Sequence, residues 1–105
     1  MFIAIVQIPM AKRPRYAAVE AAAKSAPTYT ARGAKGLVRK YYRNGEAGGG
    51  GVYLWSSEAA ARAWYTPDWE KRMEAAFGAK PTVTYYDNHV VVDNETGAVR
   101  VEGKN

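Results

Sequence analysis

The run Gly49-Gly50-Gly51-Val52-Tyr53-Leu54-Trp55, followed by Ser56-Ser57 and a helical pattern, constrains this chain more than any other segment. Glycines allow a tight hairpin entry. The four residues after them are β-branched, aromatic and aliphatic, types that fit a pleated, half-buried surface. Two serines then offer a helix N-cap. Strand must therefore turn to helix within one or two residues. The alternation puts Tyr53 and Trp55 on the opposite side of the sheet from Val52 and Leu54.

The rest of the chain can be ordered around that junction. Phe2 to Ile8 reads as a strand apolar on both faces, with Phe2, Ala4, Val6 and Ile8 on one and Ile3 and Ile5 on the other. Pro9 and Pro14 punctuate its exit. A first helix runs from near Pro14 to about Ala26, with Tyr16, Val19, Ala22/Ala23 and Ala26 at helical spacing and Pro27 as its stop; Thr28 to Lys35 is a loop. Gly36 to Arg43 is a second strand, and Asn44 to Gly49 its hairpin, with Asn44-Gly45 as the turn signal. The third strand is Gly51 to Trp55. A second helix starts at Ser57 and breaks at Thr66-Pro67, where Thr66 can cap the continuation and Pro67 can occupy its first position. Trp69, Met73, Ala76 and Phe77 form one stripe there, and Gly78 is a C-cap. A fourth strand spans Val83 to Val92. A turn at Asn94 to Gly97 and a short strand at Ala98 to Val101 follow, so the chain divides into a domain over 1–93 and a tail over 94–105. Asn94-Glu95-Thr96 matches a glycosylation sequon but reads as that turn.

The order β-α-β-β-α-β, with right-handed crossovers and a central hairpin, predicts an α+β ferredoxin-like fold. In it a four-stranded antiparallel sheet carries both helices on one face. The first and fourth strands are apolar on both sides, yet helices cover only one. A second copy of the chain, applied face to face, is the simplest cover, which predicts a homodimer.

Composition narrows the function classes. One domain is expected from 105 residues, and 48% hydrophobic with 24% charged residues is ordinary for a soluble globular protein. There is no cysteine, which excludes disulfides, thiolate chemistry and Cys-based metal sites. No apolar run approaches the ~18 residues of a membrane span. The apolar N-terminus lacks a basic leader and reads as a strand, so a cytoplasmic location is expected. The net charge is +5, unevenly placed: residues 1–43 hold nine Lys/Arg against Glu20 alone, and the remainder holds six against nine Asp/Glu. That basic half suits an anionic ligand, or is a solvated face. Eight tyrosines and three tryptophans exceed the needs of a small core and suit pockets and interfaces.

Gly36-Leu37-Val38-Arg39-Lys40, the Gly49 to Trp55 run, Tyr65-Thr66-Pro67-Asp68-Trp69 and Val90-Val91-Val92-Asp93 together resemble the YdhR-type mono-oxygenases, a family of the dimeric α/β-barrel group. The resemblance covers about Met1 to Asp93. It implies a homodimer with two sheets packed face to face, a small-molecule pocket between each sheet and its helices, and oxidation of an aromatic or quinol-like substrate by dioxygen with no cofactor.

Such chemistry needs a dry aromatic slot, a group to take a proton and a cation or donor to hold an oxyanion. Trp64, Trp69, Tyr53, Trp55, Tyr41, Tyr85 and Tyr86 can build the slot, Arg39 or Lys40 can stabilise the anion, and His89 or a tyrosine can relay the proton. Each has a plainer use. Trp69 sits on a stripe that serves a core, and Trp64 and Tyr65 at the helix break suit packing as well as a pocket. His89, the lone histidine, suits a structural hydrogen bond or the surface. Arg39 and Lys40 point to opposite faces of their strand, and either can be the one beneath the helices.

Other classes fit less well. One histidine and no cysteine argue against a metal, and Asp68, Glu70 and Glu74 lie along an exposed helical face. A lone strand histidine is weak ground for haem. Gly48 to Gly51 precedes a strand and lacks a following Gly-Lys-Ser/Thr, and Tyr53 stands where a Rossmann fingerprint has its third glycine. RNA-recognition domains share the element order. However, Leu37, Val38 and Arg39 replace their aromatic, small and aromatic positions, on the second strand instead of the third. A non-catalytic carrier of the same fold is the remaining alternative.

Overall fold

The computed structural model describes residues 1–102; the last three tail positions lie outside that range. Six strands and three α-helices follow in the order β1 Phe2–Ile8, α1 Arg15–Ser25, a 3-10 turn Ala26–Tyr29, β2 Leu37–Gly45, β3 Gly48–Trp55, α2 Glu58–Trp64, α3 Pro67–Phe77, β4 Thr82–Asp87, β5 Val90–Asp93 and β6 Ala98–Val101. The main sheet has the order β2-β3-β1-β4, antiparallel throughout. This is the expected ferredoxin-like arrangement.

Register explains which side chains meet. Ala4 pairs with Tyr53 and Tyr85, and Val6 with Gly51 and Val83. Phe2, Ala4, Val6, Ile8, Tyr53 and Trp55 are buried with Ala61 of α2 and Trp69 of α3. The alternate residues Ile3, Ile5, Val52 and Leu54 are half-buried on the other face, flanked by Tyr41 at 55% and Tyr86 at 51% exposure.

The junctions follow local chemistry. Ser57 Oγ accepts from Ala60 N at 3.1 Å and Thr66 Oγ1 from Trp69 N at 3.2 Å, so each of α2 and α3 has a side-chain N-cap. Gly78 closes α3 at φ 74°, a left-handed value that favours glycine.

Three boundaries differ from the sequence-based expectation. The hairpin turn falls at Glu46-Ala47 rather than Asn44-Gly45, because β3 begins at Gly48 and its glycines are themselves paired. Gly50 lies at φ 115°, and a Cβ there would strike the Val6 carbonyl oxygen of the neighbouring strand. The missing side chain is what lets β3 stay in register with β1 and lets Arg43 cross it, its Nη2 donating to Gln7 Oε1 at 2.8 Å.

The second difference is the end of α1. The chain tightens into a 3-10 turn over Ala26–Tyr29 with Pro27 in its first turn, where a missing N–H costs nothing. That turn delivers Tyr29 inward.

The third is the expected strand Val83 to Val92, which divides. β4 stops at Asp87, opposite Phe2, where β1 begins. Asn88 then bonds the Met1 backbone, its N donating to Met1 O at 2.9 Å. Beyond it β5 pairs with β6, Val90 opposite Val101 and Val92 opposite Val99, as a separate hairpin. These four valines share one exposed face.

Candidate functional site

The two helical connections cover the sheet differently. α2 and α3 supply Ala61 and Trp69 to the core, whereas α1 buries none of its residues. Under α1 lies a cavity of about 460 Å³. Its floor is Val6, Ile8, Gly49 and Tyr53; its roof is Ala18, Val19, Ala21, Ala22 and Ser25; its side wall is Trp69, Met73, Ala76 and Phe77. That side wall is the whole apolar stripe read on α3, so the stripe serves core and cavity at once. The size suits a small organic molecule.

Several contacts hold the roof off the floor. Asn44 of β2 bonds both backbone groups of residue 13: Arg13 N donates to Asn44 Oδ1 and Asn44 Nδ2 donates to Arg13 O, each at 2.9 Å. At the other end of α1, Ser25 Oγ and Tyr42 OH are 2.7 Å apart. The Arg13 guanidinium lies 5.7 Å from the Phe77 ring centroid. Both ends of the roof are thus tied to β2, while its middle spans empty space.

Lys40 reaches in from β2. It pairs with Tyr53 across the sheet and therefore faces the helices, while Arg39 pairs with Leu54 on the open face. Its Nζ sits 3.4 Å from the ring centroid of Tyr29, 3.8 Å from Tyr42 and 4.8 Å from Tyr53. Three aromatic faces hold the nitrogen in place. None of the cavity-lining residues is acidic, and the other two cations among them are Arg13 and Arg43. Burial without a carboxylate partner pushes the Lys40 amine down to about 7. Burial pushes the hydroxyls of Tyr53, Tyr65 and Tyr29 up, so they stay neutral donors at physiological pH.

Behind the cavity stands an aromatic cluster. Tyr53 and Trp55 stack at 6.3 Å, Tyr65 meets Trp69 edge-on at 4.9 Å, and Trp55 Nε1 donates to Tyr65 OH at 3.2 Å. Trp64 packs against Tyr29 at 5.5 Å. The buried indole N–H of the cavity-lining Trp69 has no acceptor among the described residues. An unpaired buried donor is costly.

The residues singled out from sequence are therefore dispersed. Tyr53 and Trp69 line the cavity. Trp55 is fully buried behind it, and Trp64 packs beside it without lining it. Tyr85 stacks on Phe2 at 5.5 Å near the far edge of the sheet, with the Arg62 guanidinium 4.5 Å from its ring centroid. Tyr41 is on the open face, where Arg39 Nη1 donates to its hydroxyl at 3.3 Å. His89 is exposed at the base of the β5–β6 hairpin, bonded through Nδ1 to Glu102, whose carboxylate pulls the imidazole upward. Arg39 and His89 are thus outside the cavity, and the cation inside it is Lys40. Sequence reasoning missed Tyr29, Tyr42, Arg13 and Arg43. The spacing Lys40–Tyr42 on one strand face was the signal for Tyr42; for Tyr29 there was none, because its position depends on the 3-10 turn.

Among the described residues no group of His, Asp and Glu could hold a metal ion, and no helix is long and apolar enough to cross a membrane. No protein-family model and no curated protein matches the chain. A solved structure does. A candidate antibiotic biosynthesis monooxygenase from Deinococcus radiodurans superposes with a TM-score of 0.56 over 89% of this chain and 97% of its own, at 13% identity. That likeness is one of fold: the chain is an α+β protein of the ferredoxin-like type, with a ligand-sized hollow beneath its first helix.

Proposed function

We propose that the cavity binds a small aromatic anion, phenolate- or quinol-like, and that the protein is a cofactor-independent mono-oxygenase of the YdhR-like kind acting on it with dioxygen. The observation that carries this is the pairing of apolar and aromatic walls with three cations and no lining carboxylate. The fold likeness to a candidate antibiotic biosynthesis monooxygenase supports the same reading. The substrate supplies both electrons and both protons; one oxygen atom enters it and the other leaves as water. The protein's part is to bind the ring, exclude water and hold the oxyanion at Lys40 Nζ.

The expected result in an oxygen electrode is uptake with an anthrone- or naphthoquinol-type substrate, reduced at least about tenfold in Lys40→Met. Arg39→Ala and His89→Ala are expected to stay within about twofold of the parent, since both side chains lie outside the cavity. Absence of uptake across a broad set of phenols and quinols with binding intact favours the second reading, a non-catalytic carrier. The lack of histidine and carboxylate among the lining residues supports that alternative.

The reading includes a cytoplasmic homodimer. Ile3, Ile5, Val52 and Leu54 form an aliphatic centre on the uncovered face, and the four hairpin valines add to the apolar surface. A second copy covers it. Light scattering at micromolar protein is expected to give twice the monomer mass. An RNA-binding role is disfavoured because β1 and β3 carry aliphatic residues on that face, where base stacking needs aromatic ones.

A further inference from the structure

We infer that Lys40 is a carbonyl-trapping amine: the cavity takes a small aromatic aldehyde or ketone and joins it to Nζ as an imine. This goes beyond the oxygenase reading and stands on the placement of Lys40 alone.

Four observations converge on it. The nitrogen is half-buried at the end of a cavity of about 460 Å³, large enough to seat one aromatic ring beside it. No carboxylate among the described residues pairs with it, whereas Lys12 and Lys80 lie against Glu46 and Glu70 at 4.0 and 3.1 Å. Tyr29, Tyr42 and Tyr53 fix its position from three sides, so the nitrogen lacks the freedom of a surface lysine. The other charged residues lining the same cavity, Arg13 and Arg43, are cationic, and burial opposes the ammonium form of Lys40, leaving a substantial neutral fraction near pH 7.

The step balances without a further reagent. The Nζ lone pair attacks the carbonyl carbon and the C=O π pair moves to oxygen. A proton passes from nitrogen to that oxygen, giving a carbinolamine. Loss of water then leaves the imine, with no net oxidation or reduction. The rings of Tyr29 and Tyr53 border the reacting nitrogen, and burial keeps their hydroxyls neutral. An anionic guest draws the proton onto Lys40, whereas a carbonyl guest takes the free amine, so the two ligand types compete for one site.

The test uses the full chain with benzaldehyde and cyanoborohydride at pH 7, followed by intact mass and peptide mapping. One reduced adduct per chain is expected, on Lys40, forming at least about tenfold faster than on any surface lysine. Lys40→Arg, with an unchanged circular dichroism spectrum, is expected to abolish it, and a phenol without a carbonyl to slow it in the parent. Labelling spread over the surface lysines, or confined to the Met1 amine, overturns the inference. Oxygen uptake is read separately: uptake without the adduct defeats this inference only, and the adduct without uptake defeats the oxygenase reading only.

Discussion

The half of the molecule under α2 and α3 and the half under α1 share one sheet but solve opposite problems. In the first, Trp55, Tyr65, Trp64 and Trp69 interlock, both helices carry side-chain caps, and Ala61 is completely buried. In the second, a helix with no side-chain cap and no buried residue spans a hollow. Tyr16 and Val19 on it are 76% and 59% exposed. One half supplies stability and the other forgoes packing to keep space. A binding site needs both, because an unfilled cavity is tolerable only where the neighbouring core is strong enough to bear its cost.

The largest expected effect that tests this contrast comes from the packed half. Trp55→Ala should destabilise the fold by about 3–5 kcal/mol in chemical denaturation, in line with aromatic truncation in a core. A loss below about 1 kcal/mol would mean that the aromatic cluster is not the anchor. The same substitution made in both halves sharpens the comparison. Ala61→Phe should cost about 1–3 kcal/mol or more through overpacking. Ala22→Phe, on the roof, should change stability by less than about 0.5 kcal/mol while abolishing binding of a phenolic ligand in a titration.

A smaller effect is expected from pH. The Lys40 amine is lowered to about 7 in the folded chain, against an ordinary lysine value near 10.5. Between those values the unfolded chain binds the extra proton, so stability should rise as pH increases from 7 to 9, below the range where tyrosines ionise. Lys40→Met should flatten that rise, and an unchanged slope would show that the amine is not held out of water.

The fold was legible because its signals are local and agree with one another. The Trp55–Ser57 strand-to-helix junction, Thr66-Pro67 and Gly78 each mark a boundary by backbone chemistry, and all appear where expected. The split at Asn88 was not legible, since Val83 to Val92 reads as one β-rich run. What ends β4 is the position of its partner β1, a non-local fact. The site was legible in kind but only partly in membership. Alternation placed Tyr53 with Trp55, across the sheet from Val52 and Leu54, and Arg39 opposite Lys40. Nothing local says which of the two faces inward, because that depends on the bulge between Leu37 and Arg39 that resets the register. Tyr29 and Arg13 belong to the site through a 3-10 turn and a linker, segments whose course is decided by what they contact.

The double hydrogen bond from Asn44 to the backbone of residue 13 has a practical corollary. Because the support grips main-chain atoms, the covering helix could be rewritten along its inner side without altering the height at which it is suspended. Ala18, Ala21 and Ala22 are therefore the natural dials for reshaping guest preference, with the scaffold beneath left untouched.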